Sequence, residues 1–137
     1  MTKLSVNINK LATLRNARGE NNPDIVRFAK AIESFGADGI TIHPRPDERH
    51  IKKADVYLLK KHLTTEFNIE GYPSDDFIAL MKEIRPDQIT LVPDPPGVLT
   101  SDAGFMLKDD LSFVISVIKK LRPIKARISL FIEPKDF

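Results

Sequence analysis

The chain has 137 residues, 42% of them hydrophobic and 29% charged, a globular composition too apolar for a disordered chain. Its 21 basic and 19 acidic residues are intermixed and leave a net charge of +2, which argues against a nucleic-acid surface, where cations cluster. With no Cys, disulfides, thiolate metal sites and Cys nucleophiles are excluded.

Residues 4–8 read as a first strand. The polar stretch that follows, from Asn7 to Gly19, reads as a long strand-to-helix loop in which Arg15 and Arg18 can face one anion together. Pro23-Asp24 opens a helix with Ile25, Val26, Phe28, Ala29, Ile32 and Phe35 on one face, and Gly36 ends it. Residues 39–43 form a second strand, 54–63 a helix and 67–70 a third strand. Ser74-Asp75-Asp76 is a helix start ahead of Phe77, Ile78, Leu80, Met81 and Ile84. Residues 88–92 are a fourth strand stopped by Pro93. A loop rich in Pro, Gly and Asp then runs to about Met106, followed by a helix at 111–121 and a fifth strand at 128–132.

Five strands separated by four helices, with no linker, predict one α/β domain over residues 1–137 built on a parallel sheet. An open doubly wound sheet and part of a (β/α)8 barrel both fit, and both place functional groups beyond the C-terminal strand ends. Those ends carry Asn7 and Asn9, then His43 and Arg45, then Glu70, then Asp94. No apolar run approaches the roughly 20 residues of a membrane helix. The first residues lack the apolar core of a secretory signal, so a cytoplasmic location is expected.

The stretch from Ile42 to Ile51 is the richest in chemistry. His43, one residue past a buried strand, sits where an imidazole can exchange protons near neutral pH. Arg45 offers a planar fork for phosphate or carboxylate, and Pro44 and Pro46 stiffen its loop. Metal binding is disfavoured, because His43 and His50 are seven apart with cations among them. Glu70, after the apolar Ile69, can be a partly desolvated general base, or a strand-end carboxylate paired with a nearby cation. Thr100 and Ser101 can offer hydroxyls to a phosphate, while Ser101 and Asp102 read equally as turn and capping residues.

These segments, in order, resemble pyridoxine 5'-phosphate synthase. The likeness rests on Asn7-Ile8, the run from Ala12 to Gly19, Gly36 to Thr41, His43, Arg45, Asp47 to Ile51, Asn68-Ile69-Glu70, Leu91-Val92-Pro93, Thr100 and Ser129 to Ile132. It implies a (β/α)8 barrel that needs no cofactor. The family condenses 3-amino-2-oxopropyl phosphate with 1-deoxy-D-xylulose 5-phosphate to give pyridoxine 5'-phosphate, phosphate and water. The resemblance makes His43 and Glu70 proton acceptors and gives Asn7 and Arg18 the amino-ketone phosphate. It gives Arg45, His50 and Thr100 the deoxyxylulose phosphate. Asn9 and Lys10 stand where many members carry Asp-His contacting that second substrate.

A complete barrel takes about 250 residues, so the chain corresponds to roughly the first five strands. Such an arc leaves strand edges open, which makes a homo-oligomer the expectation. A non-catalytic half-barrel that assembles with itself or a missing half is the alternative. A flavodoxin-like module fits less well: it expects a phosphate-accepting Asp directly at a strand end and a later strand-end Lys, where these strands end in Asn, His, Glu and Pro. Strand order separates these architectures: sequential for a barrel arc, shuffled for a doubly wound sheet.

Overall fold

The computed structural model describes residues 1–94 and 103–134. In chain order the first elements are β1 (Ser5–Asn7), α1 (Asn9–Arg18), α2 (Ile25–Ser34), β2 (Gly39–Ile42), α3 (Lys53–His62) and β3 (Glu66–Gly71). They are followed by α4 (Asp75–Ile84), β4 (Gln88–Leu91), α5 (Leu107–Leu121), a short 3-10 turn (Arg122–Ile124) and β5 (Arg127–Leu130). The sheet order is β1-β2-β3-β4-β5. Sequential neighbours are what the barrel-arc expectation requires, and the shuffled order of a doubly wound sheet is absent.

The chain divides into two compact units, Met1–Ile69 and Glu70–Phe137. In the first, β1 pairs parallel with β2 through Val6 and Ile40, and β2 pairs with β3 through Ile40 and Phe67. Side chains alternate across a strand, so Ile40 and Ile42 fill one face of β2 and Thr41 turns to the other. All four residues of β2 are buried, as befits an inner parallel strand. On the opposite face a polar row crosses three strands. The Ser5 and Thr41 hydroxyls lie 2.7 Å apart, and Asn68 Nδ2 donates to Thr41 Oγ1 at 3.2 Å. Ile25 and Ala29 of α2 and Val56 and Leu59 of α3 join the core of this unit.

A second brace holds α2 to the turn after α3. Glu33 Oε1 accepts from the Thr65 amide and hydroxyl, both at 2.7 Å, and from the Thr64 amide at 2.8 Å. Partial burial works to raise the Glu33 pKa, but these donors outweigh it and hold the carboxyl below its ordinary value.

In the second unit β4 and β5 pair parallel, with Ile89 opposite Ile128. Phe77, Ile78, Met81 and Ile84 of α4 are buried, as are Val114, Val117 and Leu121 of α5. Ser74 caps α4 as its sequence predicts, accepting from the Phe77 amide at 3.2 Å.

Three local expectations are corrected. The stretch read as a long polar loop is the helix α1, so among the described residues five α-helices, not four, accompany the strands. Leu11, Ala12, Leu14 and Ala17 are good helix formers, and Asn7 Oδ1 starts the turn by accepting from the Asn9 amide at 2.9 Å. The polarity misleads because Arg15 is itself buried, 5% exposed, with Ala12. Helix α5 begins at Leu107, four residues early, because Asp110 Oδ2 accepts from the Met106 amide at 3.1 Å and secures the first turn. Strand β5 ends at Leu130, and Ile132 instead makes an isolated parallel bridge with Phe105. No helix among the described residues is long and apolar enough to cross a membrane.

Candidate functional site

Within the first unit, the end of β1, helix α1 and the loop after β2 gather most of the residues singled out above. Asn9 is a hinge point of hydrogen bonds. Its Oδ1 accepts from the His43 amide at 2.9 Å, fixing the backbone of His43 as it leaves β2. Its main-chain carbonyl accepts from the Thr13 hydroxyl at 3.1 Å, and that hydroxyl lies 2.9 Å from His50 Nδ1. His43 and Arg45 are buried, 8% and 9% exposed, although both belong to a loop.

Helix α1 holds that loop from beneath. Asn16 Nδ2 reaches the His50 carbonyl at 2.8 Å and the Arg49 carbonyl at 3.1 Å, with the Glu48 carbonyl at 3.4 Å. Arg15 donates to both carboxylate oxygens of Asp55, at 2.6 and 2.8 Å, the paired geometry that favours Arg over Lys. Asp55 Oδ2 also accepts from the Lys52 amide at 2.7 Å, so one carboxylate caps α3 and anchors α1. The expected pairing of Arg15 with Arg18 around an anion is therefore wrong. Arg15 is a buried structural cation. Arg18 is exposed at the end of α1 and has no ion pair among the described residues.

Charge around His50 is positive. Burial, then Arg45, Arg49 and Lys10, push the His50 pKa below the ordinary histidine value, against a smaller opposing effect of the Arg49 carbonyl. The potential that disfavours imidazolium there favours an anion. Arg49 is partly neutralised, donating from Nε to Asp47 Oδ2 at 2.6 Å and holding that carboxyl below its usual range. Lys10 is exposed on α1 and acts through its charge.

Glu70 belongs to the second unit, one residue before the end of β3. It is half-buried, and burial raises its pKa above the ordinary glutamate value, the direction a general base near neutral pH requires. Asp94, two residues past Val92, is buried at 7% exposure. His62 is exposed on α3. Thr100 lies outside the described residues, as do Ser101 and Asp102. Among the described residues no group of three or more His, Asp or Glu could hold a metal ion.

Sequence reasoning missed Thr13, Asn16 and the Arg15–Asp55 pair. Asp55 is visible as a first-turn acid of α3, but its partner lies 40 positions away, beyond any local spacing rule.

Comparison with known proteins agrees over nearly the whole chain. The family model described as "Pyridoxal phosphate biosynthesis protein PdxJ" matches residues 4–137. A pyridoxine 5'-phosphate synthase of Phocaeicola vulgatus is 58% identical over 132 residues, 96% of this chain and 56% of the relative. Those of Cytophaga hutchinsonii and Porphyromonas gingivalis are each 57% identical, over 98% and 97% of this chain. The chain spans 56% of the length of these curated relatives. On this match the chain belongs to the PdxJ family of pyridoxal phosphate biosynthesis proteins.

Proposed function

We propose that the chain forms part of a pyridoxine 5'-phosphate synthase, a (β/α)8 barrel enzyme acting in vitamin B6 biosynthesis without a cofactor. The observation that carries this reading is the braced loop after β2, which holds buried His43 and Arg45 beside half-buried His50 in a positive environment. The reaction is a transferase-type condensation of 3-amino-2-oxopropyl phosphate with 1-deoxy-D-xylulose 5-phosphate. The amine of the first adds to the carbonyl of the second and water leaves to give an imine; a carbon–carbon bond then closes the ring as a second water and one phosphate depart.

Two phosphates need cations, and two proton acceptors are needed beside them. Asn7 and Arg18 take the amino-ketone phosphate. Arg45, His50 and Thr100 take the deoxyxylulose phosphate, with Asn9 and Lys10 at the edge of that second subsite. His43 and Glu70 accept protons, Glu70 helped by a pKa lifted toward the working range. Phosphorylated substrates do not cross membranes unaided, which makes the cytoplasm the place of action.

Arg45→Lys in the full-length enzyme tests the phosphate assignment, since Lys keeps the charge and loses the planar fork. Affinity for deoxyxylulose phosphate is expected to fall about tenfold, the scale of one charge-assisted hydrogen bond. Unchanged affinity removes Arg45 from the site.

The protein is further proposed to self-associate. Phe28 and Phe35, seven apart along and just past α2, are 43% and 87% exposed, a paired apolar surface suited to burial in an interface. Sedimentation velocity over a wide concentration range checks this, and a sedimentation coefficient that stays at the monomer value throughout refutes it.

A further inference from the structure

A neutral imidazole carries one ring proton, and the bonds around Thr13 decide which nitrogen of His50 holds it. Thr13 Oγ1 lies 3.1 Å from the Asn9 carbonyl oxygen and 2.9 Å from His50 Nδ1. The hydroxyl has a single proton to give. The carbonyl can only accept, so the directed chain that satisfies all three groups runs from His50 Nδ1–H to Thr13 Oγ1–H to the Asn9 carbonyl. In the reverse arrangement Thr13 donates to a bare Nδ1. Two oxygens would then face each other at 3.1 Å with no proton between them. That contact is repulsive.

We propose that Thr13 is a positioning residue that fixes the proton of neutral His50 on Nδ1, leaving Nε2 as the nitrogen that meets a ligand. Where His50 contacts phosphate, an assignment that rests on the function proposed above, the consequence is chemical. Bare Nε2 accepts a hydrogen bond from a monoanionic phosphate or a substrate hydroxyl. It donates to a dianionic phosphate only after taking up a proton. The charges facing the ring are Lys10 from α1 and Arg45 and Arg49 from its own loop. Arg15 of α1 is matched by Asp55 of α3, and Arg49 is paired with Asp47. Burial and the positive surroundings disfavour the charged ring, so the tautomer of the neutral ring matters to an arriving ligand.

The test is a long-range nitrogen–proton correlation of the imidazole rings in the 15N-labelled protein, above the pH at which His50 titrates. Protonated and bare nitrogens of a neutral ring resonate far apart. A His50→Gln variant assigns the signal among the three His. The expected spectrum has Nδ1 protonated and Nε2 bare, by about tenfold over the other tautomer, the population ratio of one hydrogen bond. Thr13→Ser keeps the hydroxyl and the pattern. Thr13→Val, or Thr13→Ala should Val misfold, loses the preference. A wild-type ring protonated on Nε2 overturns the proposal, as does a hydroxyl-free variant that keeps the wild-type ratio. Adding deoxyxylulose phosphate to the wild type addresses the ligand separately. With the tautomer as expected, a His50 signal that ignores saturating substrate would sink the substrate assignment and leave the Thr13 relay established.

Discussion

Asp55→Ala is expected to destabilise the folded protein by about 3–5 kcal/mol, the usual result of removing one member of a buried ion pair. The loss has little to do with the strength of the pair itself. Arg15 is 5% exposed, and without Asp55 its guanidinium would remain away from water with only neutral acceptors. The α3 cap at the Lys52 amide would be lost in the same substitution. Asp55→Asn, which keeps a cap acceptor but no charge, should fall between. Replacing both residues, Arg15→Met with Asp55→Leu, should recover much of the loss, because the stranded charge goes with its partner. Urea unfolding of the three variants checks the ordering. An Asp55→Ala cost below about 1 kcal/mol would show that the pair is solvated in practice and does not lock α1 to α3.

His43→Ala and Glu70→Gln in the full-length enzyme are each expected to lower turnover by a hundredfold or more, the scale of a positioned proton-transfer group. Near wild-type turnover in either variant removes that residue from the mechanism. The two differ in what else they change. Burial raises the Glu70 pKa, so the folded state holds the proton more tightly than the unfolded chain does. The associated stability is fully present below the unfolded-state pKa and fades as pH rises through the folded one. Glu70→Gln should therefore stabilise the protein at neutral pH and not at acid pH while turnover collapses. A structural carboxylate with favourable partners would show the opposite sign, with Gln destabilising at neutral pH.

How much was readable beforehand follows from the range of each interaction. Strands β2 and β4 are short apolar runs closed by turn residues, and α4 announces itself by Ser74 and two acids. Local rules suffice there. Helix α1 reads as a loop because a local rule treats Arg15 and Asn16 as solvent-facing, whereas both turn toward chain more than 30 positions away. The residues proposed to carry chemistry, His43, Arg45, His50 and Glu70, stand out by type and by position after strands. Their support does not. Thr13 and Asn16 are ordinary helix polar residues until the loop lies against them, and the second role of Asp55 needs the partner helix in place. Resemblance to a family supplies the proposed reactive groups, while the Thr13 contact with His50 is visible only in three-dimensional packing.

The clamp made by Asn16 bears on how the loop opens. Its amide nitrogen is shared among consecutive main-chain carbonyls, and the neighbouring Arg15 is tied through Asp55 to α3. Residues 48–50 thus have no boundary at which to detach without disturbing two helices. In hydrogen-exchange language they should belong to the same cooperative unit as α1 and α3, not to the fraying surface. Loops that serve as lids are drawn from the least protected part of a protein. This one is braced like a wall, and under the function proposed above a substrate would meet a preformed surface here.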